Sequence, residues 1–130
     1  MPRLLDVVIF ALFNSTIHHT TSIGKNTKCG YRGMSVLIHK RAVIGRNVMI
    51  GPHVVIGGRS GQEPPTIEDH VYIGANACVL GGIRVGRKAV IGAGAVVLAD
   101  IPAEGVVAGN PARLLSIDGA TQLPGNGKTS

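Results

Sequence analysis

Ile38, Ile44, Ile50 and Ile56 stand six residues apart, and Gly45, Gly51 and Gly57 follow the last three. Neither regular element explains this spacing. Strand side chains alternate every two residues, and helical faces recur every 3.6. The ladder continues backwards, after a gap, to Cys29, Ile23 and Ile17. After a second gap it resumes at Ile67 and runs through Ile73, Val79, Val85, Ile91 and Val97. A second series lies four residues after the rungs and is small or branched: Thr21, Thr27, Ala42, Val48, Val54, Val71, Ala77, Ile83, Ala89 and Ala95. Self-similarity at a short fixed period marks a solenoid. The spacing predicts an all-β fold, a single-stranded parallel β-helix of hexapeptide repeats. Each repeat gives one short strand and one turn, and three repeats give one triangular coil. Coils stack by backbone pairing at about 4.8 Å. The rung residue points into the prism and the smaller residue fills the corner beside it. Glycine after the rung is expected to relieve crowding at the bend.

Composition fits a narrow interior. Hydrophobic residues make up 45% of the 130-residue chain, yet aromatics are only 3% and Trp is absent. Most globular cores draw bulk from aromatic rings; this one must be filled by Ile, Val and Ala. The length suits one domain. The formal charge of +6 reads either as a solvated basic surface or as an attraction to an anionic partner such as a phosphorylated cofactor. Few aromatics are available for base stacking and no nucleic-acid motif is present, so no nucleic-acid partner is expected. Cys29 and Cys78 show neither metal spacing nor a disulfide framework, which fits a reducing, cytoplasmic setting.

Both gaps in the ladder should be surface loops, because insertions leave a solenoid's core. They place functional loops at residues 30–36 and 57–66. The expected organisation is an apolar N-terminal segment over 1–14, the β-helix over 15–116 with a C-terminal cap, and a disordered tail over 117–130. Within the first segment, residues 4–13 are too short to span a bilayer. They read as a cover for the end of the core, with membrane-surface contact as the minor alternative.

Phasing the rungs sorts the histidines. Ile17, Ile38, Ile56, Val79 and Val97 share one face, so His18 and His39 stack where most rungs carry glycine. His53 falls in the turn "GPH" on another edge, below Asn76 and Gly94. His39 lies between the two insertion loops and is the first candidate for a general base, followed by His53 and then His18. His19 and His70 read as ordinary surface histidines.

The repeats, the segment "VVIGG" with its loop, "VYIGANACVLGGIRVGRKAVIGAGAVVLADIP" and the close "VVAGNPARLL" resemble the serine acetyltransferase branch of the hexapeptide acyltransferases. The likeness covers roughly residues 15–115. It implies a left-handed prism and a homotrimer with active sites between subunits. It also implies acetyl-CoA as co-substrate, no required metal, and direct attack of an acceptor hydroxyl on the thioester. The turns Gly74-Ala75 and Ala93-Gly94 match the donor-binding edge, where missing side chains let pantetheine approach the backbone. Gly58, Arg59 and Arg113 join them as cofactor-binding candidates, the arginines near the phosphates by neighbourhood. Three places depart from the branch. Thr16-Ile17-His18-His19 replaces Asp-Ile-His-Pro, Gly30-Tyr31 replaces Asp-His, and Glu63-Pro64-Pro65 replaces Arg-His-Pro. The acceptor is therefore open between serine and a sugar of a surface polysaccharide pathway.

Two other functions share this scaffold. One is a non-catalytic trimeric β-helix. The other is a metal hydratase like the γ-type carbonic anhydrases, which would need His18, His39 and His53 to converge across a subunit boundary.

Overall fold

The structure is a computed structural model that describes residues 16–17, 21–30 and 35–117, with the side chains of 16 and 17 excepted. The apolar run at 4–13, His18, His19, Tyr31 and the C-terminal tail from 118 lie outside the described residues.

The chain winds as a left-handed parallel β-helix, and the six-residue ladder becomes three sheets. The first face stacks β1 (Thr16–Ile17), β4 (Leu37–Ile38), β7 (Val55–Gly57), β10 (Cys78–Leu80) and β13 (Val96–Val97). The second stacks β2 (Ser22–Ile23), β5 (Val43–Ile44), β8 (Thr66–Ile67) and β11 (Arg84–Val85). The third stacks β3 (Lys28–Cys29), β6 (Met49–Ile50), β9 (Tyr72–Ile73), β12 (Val90–Ile91) and β14 (Val106–Ala108). An antiparallel strand, β15 (Arg113–Ser116), closes that sheet.

Pairing register measures the coils. Leu37 pairs with Val55 and Cys78 with Val96, each eighteen residues on, which is three hexapeptides. Thr16 pairs with Leu37 at twenty-one residues and Val55 with Cys78 at twenty-three. The excess of three and five residues is the two insertions. Each sits at a corner, where extra chain can leave without breaking a ladder. The first is shorter than the sequence reading. Val36 is fully buried and fills a corner of the core, because it takes the position that Val54 holds one coil on.

Rung residues face inward throughout the complete coils. Ile38, Ile44, Ile50, Ile56, Ile67, Ile73, Val79, Val85, Ile91 and Val97 are all buried. The second series is buried with them from Ala42 to Ala95. Thr21 and Thr27 are its polar members; the Thr21 hydroxyl is buried with no partner among the described residues, whereas that of Thr27 donates to the Gly45 carbonyl at 2.6 Å and accepts the Val48 N–H at 3.2 Å. That satisfies a group which would otherwise weaken a narrow apolar core.

The glycine after the rung relieves crowding as expected, and the crowding is between neighbouring coils. Gly24, Gly45, Gly51, Gly74 and Gly86 have ordinary φ values. A Cβ on Gly74 would lie 2.6 Å from the Ala93 nitrogen, and one on Gly51 would lie 2.7 Å from the Ala75 nitrogen. These glycines exist because coils approach closely there. The left-handed conformation falls two residues later, at Asn26, Asn47, His70, Lys88 and Glu104 on one corner and at His53, Asn76 and Gly94 on another.

The faces differ outside. The first presents Leu37, Val55, Cys78 and Val96, and the third Lys28, Met49 and Tyr72, whereas the second carries Ser22, Thr66 and Arg84 with Val43 as its exposed apolar member. Ion pairs line the polar side. Glu68 pairs with the Arg84 guanidinium and accepts the Arg87 N–H at 3.0 Å. Asp69 accepts the Arg46 N–H at 2.8 Å, and that bond, with the Arg46 guanidinium, holds its carboxyl below the usual range against a smaller opposing effect of burial. Such exposed pairs each contribute about 0–1 kcal/mol; the core carries the stability. Ile73→Ala should therefore destabilise the prism by about 2–5 kcal/mol, read as a lower denaturation midpoint with an unchanged circular dichroism spectrum in water.

Candidate functional site

The candidate residues divide between the two corners that bound the first face. At the corner between the third and first faces, three turns stack: Pro52-His53, Ala75-Asn76 and Ala93-Gly94. Asn76 N–H donates to Pro52 O at 3.0 Å, and Gly94 N–H donates to Ala75 O at 2.8 Å. The left-handed residues His53, Asn76 and Gly94 form one column, with φ values of 60°, 64° and 72°. Side chains shrink down that column from imidazole to amide to hydrogen. A Cβ at Gly94 would meet nothing within 4 Å, so the lower end opens to solvent. Ala93 is exposed, and His53 is exposed with no hydrogen bond to its ring among the described residues.

The corner between the first and second faces carries His39. Its N–H donates to Ile56 O at 2.8 Å, its carbonyl accepts Ala42 N–H at 3.0 Å, and its Nδ1 accepts Arg41 N–H at 3.0 Å. The second insertion leaves from the same corner one coil on and brings Gly58 and Arg59 there. Pro64 and Pro65 are buried, and Pro65 O accepts Val43 N–H at 3.2 Å. Gln62, which the sequence did not single out, ties the loop down through a bond from Gly82 N–H to its Oε1 at 3.1 Å. Gly81 makes room: its φ is +97°, and a Cβ there would lie 2.5 Å from that oxygen. The Gly81-Gly82 pair, breaking the run of branched residues one coil beyond the loop, is the sequence signal for this anchor. Glu63 then lies 3.6 Å from the Arg41 guanidinium.

The corner of His39 does not demand glycine. His39, Gly57, Leu80 and Leu98 occupy it in succession, and a Cβ on Gly57 would come no nearer than 3.9 Å to a neighbour. The close coil approach that forces glycine operates at the other corners. His39 is thus not set apart by displacing a glycine.

Within one chain the structure brings His53 together with Ala75, Ala93 and Gly94, and His39 together with Gly58 and Arg59. The two groups lie at opposite ends of the first face. Arg113 belongs to neither. It stands on β15 in a cleft of about 240 Å³ at the end of the prism, with Leu98, Asp100, Pro102, Ala112 and Leu114. Among the described residues no group of three His, Cys, Asp or Glu side chains could hold a metal ion. No described helix is long and apolar enough to cross a membrane. Burial pushes the Cys29 thiol up from its ordinary value.

The likenesses to known proteins agree with this fold. The family profile "Hexapeptide repeat of succinyl-transferase" matches residues 64–99. A serine acetyltransferase of Synechococcus elongatus is 37% identical over 127 residues, covering 95% of this chain and 52% of that protein. A serine acetyltransferase solved in complex with CoA superposes with a TM-score of 0.81 at 34% identity, covering 87% of this chain and 47% of the other. A 2,3,4,5-tetrahydropyridine-2,6-dicarboxylate N-acetyltransferase of Staphylococcus aureus is 49% identical over 76 residues, 55% of this chain and 31% of its own length. The fold and these matches define a hexapeptide-repeat β-helix protein. Within that class the chain is serine acetyltransferase-like. It spans about half the length of the serine acetyltransferases it matches.

The loop anchor is testable by itself. Gln62→Ala should leave the prism folded and make the 58–63 loop a faster site of limited proteolysis, followed by mass spectrometry of the first cut.

Proposed function

We propose that this chain is an acetyl-CoA-dependent O-acetyltransferase acting on a small hydroxyl acceptor, serine or a sugar. The observation that carries the reading is the column of small, open turns at Ala75, Ala93 and Gly94 with His53 at its head. It occurs in a prism similar to one solved with CoA. Pantetheine is a narrow chain with amides, and a side-chain-poor backbone edge suits it. The net charge of +6 suits its phosphates, with Arg59 and Arg113 as the arginines to hold them.

In the reaction the acceptor oxygen attacks the acetyl carbonyl carbon and a C–O bond forms. The acceptor's proton passes to an imidazole. Collapse of the tetrahedral intermediate breaks the C–S bond. The sulfur leaves as thiolate and takes the proton back, giving free CoA thiol and the O-acetyl ester. We assign the proton transfer to His53, because it shares a corner with the donor turns and its ring is unengaged among the described residues. A homotrimer is part of the same reading. His39 and the donor turns sit at opposite ends of one face, so a second copy is the way to place them side by side. The apolar first and third faces supply surface for that contact.

The likeness to an N-acetylating relative over much of the same region leaves the acceptor side as the variable part. Glu63-Pro64-Pro65 supports an acceptor other than serine, since both prolines are structural and buried.

The test is thiol release from acetyl-CoA against L-serine and against nucleotide-linked and lipid-linked sugars. A non-catalytic scaffold would release no thiol and would bind no CoA in calorimetry. Ala93→Leu fills the open turn and should weaken CoA binding by about tenfold or more, a change of about 1.4 kcal/mol, without altering the melting transition. His53→Ala should lower kcat by about 10²–10⁴-fold, the usual worth of a general base, while CoA affinity and sedimentation stay as in the wild type.

A further inference from the structure

We propose that His39 works as a neutral hydrogen-bond donor, presenting Nε2–H to a substrate oxygen, and not as the base that removes the acceptor's proton. This inference rests on the acetyl-transfer reading above and divides its labour between the two histidines.

A neutral imidazole has one N–H and one nitrogen with a free lone pair. His39 Nδ1 accepts the Arg41 N–H at 3.0 Å, so Nδ1 carries the lone pair and the ring proton sits on Nε2. A histidine base needs the reverse order. Its Nε2 lone pair faces the hydroxyl, while Nδ1–H donates to a carboxylate or carbonyl that fixes the ring. No carboxylate accepts from His39 among the described residues, and the carboxylate of this corner, Glu63, is paired with the Arg41 guanidinium at 3.6 Å.

The donor to Nδ1 is backbone, and the backbone is fixed on both sides of it. His39 N–H holds the next coil at Ile56 O, 2.8 Å away, and Ala42 N–H closes the turn on His39 O at 3.0 Å. Arg41 N–H cannot turn away as a side chain could. The tautomer is therefore built into the corner. An imidazole whose Nδ1 is taken up in this way, with Nε2–H outward, can polarise a carbonyl or steady an oxyanion, and it needs no proton exchange to do so. His53 shows no such engagement and keeps a lone pair for the proton.

Two substitutions in the full chain separate the roles. His39→Gln places an amide N–H near the position of Nε2 and cannot act as a base. His39→Asn offers Oδ1 to the Arg41 N–H, preserving the corner, and leaves nothing where Nε2 stood. Thiol release is followed with acetyl-CoA, using L-serine and nucleotide-linked sugars as acceptors. The Gln variant should stay within about tenfold of wild type. The Asn variant should lose about 10²–10³-fold in kcat, the usual cost of removing an oxyanion donor, or show a matching rise in acceptor KM. Equal collapse of both variants would return the base role to His39 and overturn the proposal. Equal retention of activity by both would remove His39 from the site and overturn it as well. The ring itself is read by ¹⁵N NMR of the wild-type chain. The pattern of the Nε2–H tautomer is expected, and that of Nδ1–H would overturn the proposal whether or not turnover is detected. Failure of the acetyl-transfer reading looks different: wild-type protein releases no thiol with any acceptor and binds no CoA.

Discussion

The closeness of one coil's backbone to the next governs this molecule. Parallel pairing sets a spacing of about 4.8 Å, and at two corners it brings Cα of one turn against the peptide of the turn below. Gly24, Gly45 and Gly86 permit it at one corner, and Gly51 and Gly74 at the other. With the backbones that near, no bulky residue fits the corner, and the interior narrows to what Ile, Val and Ala can fill. The scarcity of aromatics, the buried rungs and the small turns at Ala75, Ala93 and Gly94 are all consistent with that one distance.

Much of the fold was legible because a period of six leaves a mark on every coil. Ile38 to Val97 could be assigned inward, and each is buried. The loops were legible as failures of the period, although Val36 proved to be core. That the corner glycines relieve crowding was legible. Which corners are crowded was not, because that depends on how near one coil comes to the next: a Cβ at Gly74 would lie 2.6 Å from a neighbour and one at Gly57 no nearer than 3.9 Å. That distinction decided how His39 should be read, since its corner tolerates Leu80 and Leu98. Gln62 was invisible for a related reason: its partner is a backbone N–H twenty residues away. The tautomer of His39 was equally hidden, because it depends on where a main-chain donor points.

The division of the candidate residues between two corners gives the first face a particular meaning. It is apolar outside, through Leu37, Val55, Cys78 and Val96, and it separates the turns of His53, Ala75 and Gly94 from the loop corner. Chemistry that needs both ends must fold that distance away, and association of copies is the economical route. The polar second face, with Arg46–Asp69 and Glu68–Arg84 across it, suits water instead. Sequence patterning on the outside of the prism thus carries as much functional content as the ladder within.

β15 has a further effect. A parallel solenoid ends in a coil whose backbone groups face nothing, and such an edge is a template for another chain. Here the chain turns back on itself. β15 runs antiparallel along β14, Ala112 N–H meets Val96 O at 2.9 Å, and Ile101 bridges Val85 on the remaining face. The C-terminal end of the prism is thereby made unfit for another coil to continue, in register or in direction. A parallel coil arriving at that end would meet an antiparallel strand on the third face, so the six-residue winding cannot simply be carried on from one copy into the next.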